Sequence, residues 1–357
     1  MAIVVRLAAG GVLLSQGGPQ FVLASDDGDA YDAAARWQAF GVPIVMTDRM
    51  SGKWDARTPV EARWPQGYWL FLAAQYRLLG SAYPSTLLLQ GLLAAGGVLA
   101  VFALAAVVFD EGAARVAALA QAVSSTGVYL SAALFAESLY LPLLLGGLAL
   151  VALAVEVARC QRTRLLWGLA AGALFGAAEV TRPLALPVLV VAAVWAGLTT
   201  RPGCERSRVL VALGAGFAVA LVPFVVHDLA TLGNVAVFTA GGAEALRDQA
   251  VHGDSLIERT LVMFLSGGWV PLGEPLISSF GGWPTLVARS AEWLLAVLGG
   301  VWLLKTRVGW LLAAAAAAVI APSLLVGLPL VRYRAAADPI FIIWMVAGVQ
   351  ALRGRAR

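Results

Sequence analysis

Ser85 to Val108 read STLLLQGLLAAGGVLAVFALAAVV, twenty-four positions without one charged side chain. As a helix this run would rise about 36 Å, more than the roughly 30 Å hydrocarbon core of a bilayer requires. It reads as a membrane-spanning helix. Further along, comparable apolar runs recur at 113–134, 138–158, 165–181, 184–198, 208–227, 285–304, 308–330 and 339–352. Toward the start, residues 2–23 form a weaker first span, interrupted by Arg6 and frayed at its outer end by Gln16-Gly17-Gly18-Pro19-Gln20. The composition agrees: 60% hydrophobic residues, 13% charged and a mean hydropathy of +0.82 leave too little charge to cover a water-exposed surface. A β-barrel would show short alternating segments instead of these long runs. The expectation is an all-α polytopic membrane protein, a single integral membrane domain over 1–357 with about ten transmembrane helices.

The net charge of +4 and pI near 9.3 raise nucleic acid as a partner. The arginines, however, sit in short interhelical loops rather than on one basic face, so none is expected. They report topology instead. By the positive-inside rule, Arg159 to Arg164, the loop with Arg201, Arg206 and Arg208, the Lys305 to Arg307 turn and the tail at Arg353, Arg355 and Arg357 mark the cytosolic face, provided 260–283 does not cross. The two cysteines, Cys160 and Cys204, lie in these cytosolic loops, which argues against a disulfide framework. Arg6 also argues against a cleavable signal peptide, and the abrupt start predicts a few residues upstream of Met1. A bacterial inner or plasma membrane is the expected location.

Two polar regions fall on the opposite, extracytoplasmic side. The first, 24–80, opens with Ser25-Asp26-Asp27-Gly28-Asp29-Ala30-Tyr31-Asp32, where four carboxylates occupy seven positions. Beside a bilayer each must find water, a cation or a proton. Basic residues follow at Arg36, Arg49, Lys53, Arg57 and Arg63, then Trp64-Pro65-Gln66-Gly67-Tyr68-Trp69, the start of an aromatic-rich segment too short to span and expected to lie in the interface plane. The second region, 228–283, carries His227-Asp228, Glu244, Arg247, Asp248, His252 and Asp254, and ends in a Gly- and Pro-broken apolar stretch that reads as re-entrant or interfacial. Its histidines and carboxylates show no metal-ligand spacing, so no metal ligand is assigned and a divalent ion is left open.

Structural roles compete with functional ones at each of these charges. Asp26 or Asp27 would serve as a helix N-cap, and Asp32 with Arg36 forms an i,i+4 pair. Lys53 and Arg57 read as solvated loop charges, Arg63 could snorkel to the head groups, Arg182 could anchor a helix end, and Glu137 before an apparent helix start would sit at its positive dipole end.

Several landmarks taken in order resemble the GT-C-type integral membrane glycosyltransferases, the group of protein O-mannosyltransferases and bacterial aminoarabinose transferases. They are Asp27-Gly28-Asp29-Ala30-Tyr31-Asp32 after a first helix, Arg63-Trp64-Pro65-Gln66-Gly67-Tyr68 with Leu79-Gly80, Ala136-Glu137-Ser138-Leu139-Tyr140, Thr181-Arg182-Pro183, and Arg332-Tyr333-Arg334 with Asp338-Pro339. Where relatives often carry Asp-Glu, this chain has Asp27-Gly28, and its first helix is short. The resemblance implies a polyprenyl-phosphate-linked sugar donor, a lipid, glycan or protein acceptor, Asp27 or Asp29 as catalytic base, and cations from Arg63, Arg182, Arg332 and Arg334 on the donor phosphate. Glu137 and Tyr31 are further candidates. Displacing a phosphate from an anomeric carbon needs little leaving-group protonation, so one carboxylate that accepts the acceptor's proton suffices, and attack inverts the centre. The expected function is thus an inverting glycosyltransferase acting on the extracytoplasmic face. The rival is a multi-pass transporter or flippase of a lipid-linked or small polar substrate, which an ionisable group at mid-membrane would favour. A non-catalytic membrane subunit is the third reading.

Overall fold

The computed structural model describes residues 1–17, 26–42, 44, 65–200, 204–233, 283–326 and 335–354, and every regular element among them is an α-helix. In chain order these are α1 (Ala2–Gly17), α2 (Asp26–Phe40), α3 (Gln66–Leu79), α4 (Tyr83–Val108), α5 (Glu111–Val123), α6 (Ser125–Ala132), α7 (Glu137–Glu156), α8 (Gln161–Thr181), α9 (Ala185–Thr199), α10 (Cys204–Leu232), α11 (Trp283–Leu303), α12 (Arg307–Val326) and α13 (Asp338–Leu352). Among the described residues, three helices are both long and apolar enough to cross a bilayer: Tyr83–Val108, Glu137–Glu156 and the Arg206–Ala230 stretch of α10. Shorter apolar helices accompany them, including Ala185–Thr199 and Asp338–Leu352. Their outer faces carry bare aliphatic side chains, with Leu99 68%, Val219 70% and Leu294 70% exposed, as lipid-facing surfaces do.

Backbone contact, not bulk, joins the long helices. A Cβ on Gly172 of α8 would collide with the Leu213 carbonyl of α10, and one on Gly216 of α10 would collide with the Leu169 carbonyl of α8. One turn on, a Cβ at Gly176 would stand 2.6 Å from that of Ala220. The same device joins α11 to α13, where Gly299 lies under the Trp344 carbonyl and Gly348 under that of Leu295. In lipid, apolar side chains gain little by leaving the solvent, so close helix approach through small residues supplies the packing energy.

The run expected as one span at 113–134 is two helices, broken at Ser124. Asp110 starts α5 by accepting from the Ala113 amide at 2.9 Å, and the Ser124 hydroxyl accepts from the Gly127 amide at 3.4 Å to start α6. At the break the Ser124 amide donates to the Gln121 carbonyl at 3.4 Å, and Arg6 adds to the end of α5: its Nη1 donates to the Ala122 carbonyl at 2.8 Å and its Nη2 to that of Gln121 at 3.5 Å. Arg6 is therefore buried inside the bundle rather than merely weakening the first span. Among the other expected boundaries, the span 208–227 is longer, running from Cys204 to Leu232 and taking in Asp228.

A second, smaller core lies at one end. Ala30, Tyr31, Ala34 and Ala35 of α2 pack against Tyr68, Trp69, Leu72 and Tyr76 of α3, with Leu87, Leu134, Ala136 and Leu139 closing the cluster. The interfacial segment expected after Trp64 is thus a helix, with one aromatic face buried against the acidic helix. Gly80 ends it at a φ of 78°, a conformation that costs glycine nothing, and its amide donates to the Tyr76 carbonyl.

Candidate active site

The acidic stretch forms α2, whose backbone begins at Asp26. For Asp27 the backbone alone is described; Asp29 is half-buried and Tyr31 is buried. The Tyr31 ring meets Tyr68 edge-on, 5.0 Å between centroids. Farther along, the Arg77 guanidinium donates to the carbonyls of Gln38 at 2.6 Å and Ala39 at 3.2 Å. Both contacts advance together, so α2 and α3 run in the same direction and their N-terminal ends share one side.

Asp32 organises the middle of this pair. Its carboxylate accepts from the Tyr76 hydroxyl at 2.5 Å, from Arg36 Nε at 2.8 Å and from the Tyr83 hydroxyl at 3.4 Å. The i,i+4 pair read from the sequence is present, and it has two phenols besides. The Arg36 guanidinium also stacks over the Tyr76 ring, 5.6 Å from its centroid. Burial would lower the Arg36 pKa, but its hydrogen bond to Asp32 and attraction to that carboxylate outweigh the effect and raise it. Burial pushes the Tyr76 phenol well up and the Asp32 charge pushes it further, which keeps it a proton donor. Burial raises the Tyr68 pKa against the lowering effect of its hydrogen bonds with Ser138 and Gln90, and the charges of Glu137 and Asp32 add a little to the rise. The Tyr68 hydroxyl donates to the Gln90 amide oxygen at 2.8 Å, and the Gln90 nitrogen donates to the carbonyls of Ser131 and Ala133, each at 3.0 Å. α3 is thereby pinned to α4 and to the turn that precedes α7.

At its N-terminal end α3 docks on α8. A Cβ on Gly67 would lie 2.7 Å from Thr181 Oγ1, so only glycine lets the two backbones meet there. Beside it, the Gln66 amide donates to the carboxylate of Asp228, fully buried on α10. The next residue after Thr181 is Arg182, whose guanidinium donates to the Glu137 carboxylate at the start of α7. That ion pair is nearly enclosed, with side-chain exposures of 14% for Arg182 and 4% for Glu137. Glu179 turns the chain beyond it by accepting from the amides of Ala185 and Leu186 at 2.8 and 2.7 Å, which caps α9.

The N-terminal ends of α2, α3 and α7 and the C-terminal ends of α8 and α10 therefore converge. Of the residues expected from the sequence, Glu137 and Arg182 are in direct contact, Tyr31 packs on the helix that docks against Thr181, and Asp29 lies one short step from Tyr31 toward the same end. Arg63, Arg332 and Arg334 lie outside the described residues, as do Lys53, Arg57, Glu244, His252 and Asp254. Among the described residues, no three His, Cys, Asp or Glu side chains come together as a metal site would require. Sequence reasoning did not anticipate Gln66, Tyr76, Tyr83, Glu179 or the buried role of Asp228. The phenols looked like interfacial aromatics, and Asp228, directly after an apolar run, looked like the first residue of a loop.

The sequence matches no protein-family model and no curated protein. Solved structures do match in fold. The chain superimposes on ArnT from Cupriavidus metallidurans bound to undecaprenyl phosphate with a TM-score of 0.67 and 17% identity, over 99% of this chain and 59% of that one. The Archaeoglobus fulgidus oligosaccharyltransferase AglB, in complex with an inhibitory peptide and a dolichol-phosphate, matches with a TM-score of 0.58 and 12% identity, over 99% of this chain and 50% of that one. The same archaeal oligosaccharyltransferase in complex with Zn and sulfate gives a TM-score of 0.57 at 14% identity, over 99% and 49%. The fold is of the GT-C type. Together with the apolar helices it makes this an integral membrane protein, one that spans about three fifths of the length of ArnT.

Proposed function

We propose that the chain is an inverting glycosyltransferase that moves a sugar from a polyprenyl-phosphate donor to an acceptor on the extracytoplasmic face of the membrane. The observation that carries the reading is the convergence of the acidic helix α2 and the buried Glu137–Arg182 pair at one end of a GT-C-type bundle. Two structures of that fold hold a lipid phosphate, undecaprenyl phosphate in ArnT and a dolichol-phosphate in AglB, which supports the same class of donor here.

Asp27 or Asp29 takes the acceptor's proton as its oxygen attacks the anomeric carbon. Arg182, with Arg63, Arg332 and Arg334, offers guanidinium groups whose fork geometry matches the oxygens of the departing phosphate. Glu137 holds Arg182 in a fixed orientation, and the aromatic face of α3 separates the head-group region from the apolar bundle. The isoprenoid tail would lie among the lipid-facing helices.

The test is transfer from a short-chain polyprenyl-phosphate sugar by the protein in nanodiscs. Asp27→Asn or Asp29→Asn is expected to lower turnover by about 10²–10⁴-fold with donor binding retained, since only the proton acceptor is lost. Full turnover in both variants, or donor that crosses the bilayer without being cleaved, would replace the transferase with the transporter reading.

A further inference from the structure

After Thr86, the long span α4 carries one hydrogen-bonding side chain, Gln90, and it is fully buried. An amide inside an apolar bundle is costly unless its polar atoms are satisfied. Gln90 meets that condition by joining two other elements. Its oxygen accepts from the Tyr68 hydroxyl of α3, and its nitrogen donates to the carbonyls of Ser131 and Ala133. Those carbonyls stand where α6 ends and the chain turns, still buried, toward α7. Leucine would fill the same place in α4 at no desolvation cost, so the amide is explained by the elements it joins.

From this grip, hydrogen bonds continue to the residue beside Glu137. The Phe135 amide donates to the Ala133 carbonyl at 3.0 Å, and the Phe135 carbonyl accepts from the Ser138 amide at 3.0 Å and from Ser138 Oγ at 2.7 Å. On the other side, the Tyr68 ring meets Tyr31 of the acidic helix α2 edge-on. We propose that Gln90 is a positioning residue: it fixes where Glu137 stands relative to the acidic helix and, through Glu137, orients Arg182. Gln90 touches neither member of that ion pair, and its effect passes through the backbone of the turn over 133–136. The consequence for donor binding rests on the transferase reading; the placement of Glu137 does not.

Two measurements on the full chain in nanodiscs test this. In Gln90→Leu, amide hydrogen exchange over 133–139 is expected to rise about tenfold while the rest of α7 stays protected, since a merely destabilised bundle would exchange faster throughout. Undecaprenyl phosphate binding, per folded molecule, is expected to weaken about tenfold in the same variant, in the range for loss of a supporting partner behind a ligating group. If Gln90 acts through Glu137, the double variant Gln90→Leu with Glu137→Gln binds no more weakly than Glu137→Gln alone. Tyr68→Phe, which leaves the carbonyl bonds in place but frees Gln90 from α3, is expected to move both readouts the same way by less, and it decides the matter if Gln90→Leu does not accumulate. Exchange that is unchanged or raised uniformly, an unchanged affinity, or losses that add in the double variant would overturn the proposal. If the unmodified protein binds no undecaprenyl phosphate, the donor assignment falls, and the exchange pattern alone decides the placement of Glu137.

Discussion

The seam between α8 and α10 and the junction between α2 and α3 hold helices together by opposite means. Along the seam, Gly172, Gly176 and Gly216 bring backbones into contact, with no side-chain hydrogen bond needed. At the junction, Asp32, Tyr76, Tyr83, Arg36 and Arg77 form a polar network over an aromatic core. The first arrangement depends on shape and tolerates no added volume, whereas the second depends on identity and tolerates no lost partner. In a bilayer this division follows cost: close packing of small residues fixes the long helices, and the polar groups that are costly to bury satisfy one another at the junction of α2 and α3.

The contrast can be broken or sharpened by substitution. The largest effect is expected from Glu137→Gln, which removes the carboxylate from a nearly enclosed ion pair and should cost about 3–5 kcal/mol in denaturant unfolding together with loss of donor affinity. A cost confined to stability would make the pair part of the scaffold after all. Gly216→Leu should destabilise by about 1–3 kcal/mol through overpacking, with turnover per folded molecule unchanged. A matching fall in turnover would show that the seam is not mechanically separate from the site. Tyr76→Phe deletes the hydrogen bond to Asp32 and should cost about 1–3 kcal/mol, read as a lowered midpoint of thermal unfolding. For Arg115→Ala no measurable shift in that midpoint is expected, because its i,i+4 partner Glu111 is as exposed as it is.

The helices were legible because spans need long apolar runs, and length and composition alone mark them. What the runs could not reveal was the break at Ser124. A serine in an apolar stretch looks tolerable within a helix, and the guanidinium that caps the break comes from a residue 116 positions away. The site divides along the same line. Asp32 and Arg36 were readable because helical spacing places them together, and Glu137 and Arg182 were each singled out by local context. Their pairing across 45 positions was not readable, nor was that of Gln66 with Asp228 across 162. Hydrogen-bond partners distant in the chain leave no periodic trace, and Asp228 in particular, buried on α10, is bonded by Gln66 of another helix.

Arg6 also sets an order of events during synthesis. A lone arginine within an apolar helix costs about 2.5–3.5 kcal/mol to insert, and the carbonyls that relieve it belong to residues made 116 positions later. At about 5–20 residues per second, the ribosome delivers those carbonyls roughly 6–23 s after Arg6. During that interval α1 can pack on α4, as Gly10 does against Leu87, but the Arg6 guanidinium has not met its carbonyls on α5. The Arg6 side chain is therefore seated only once the end of α5 has arrived, and the two helices are tied together after both are made.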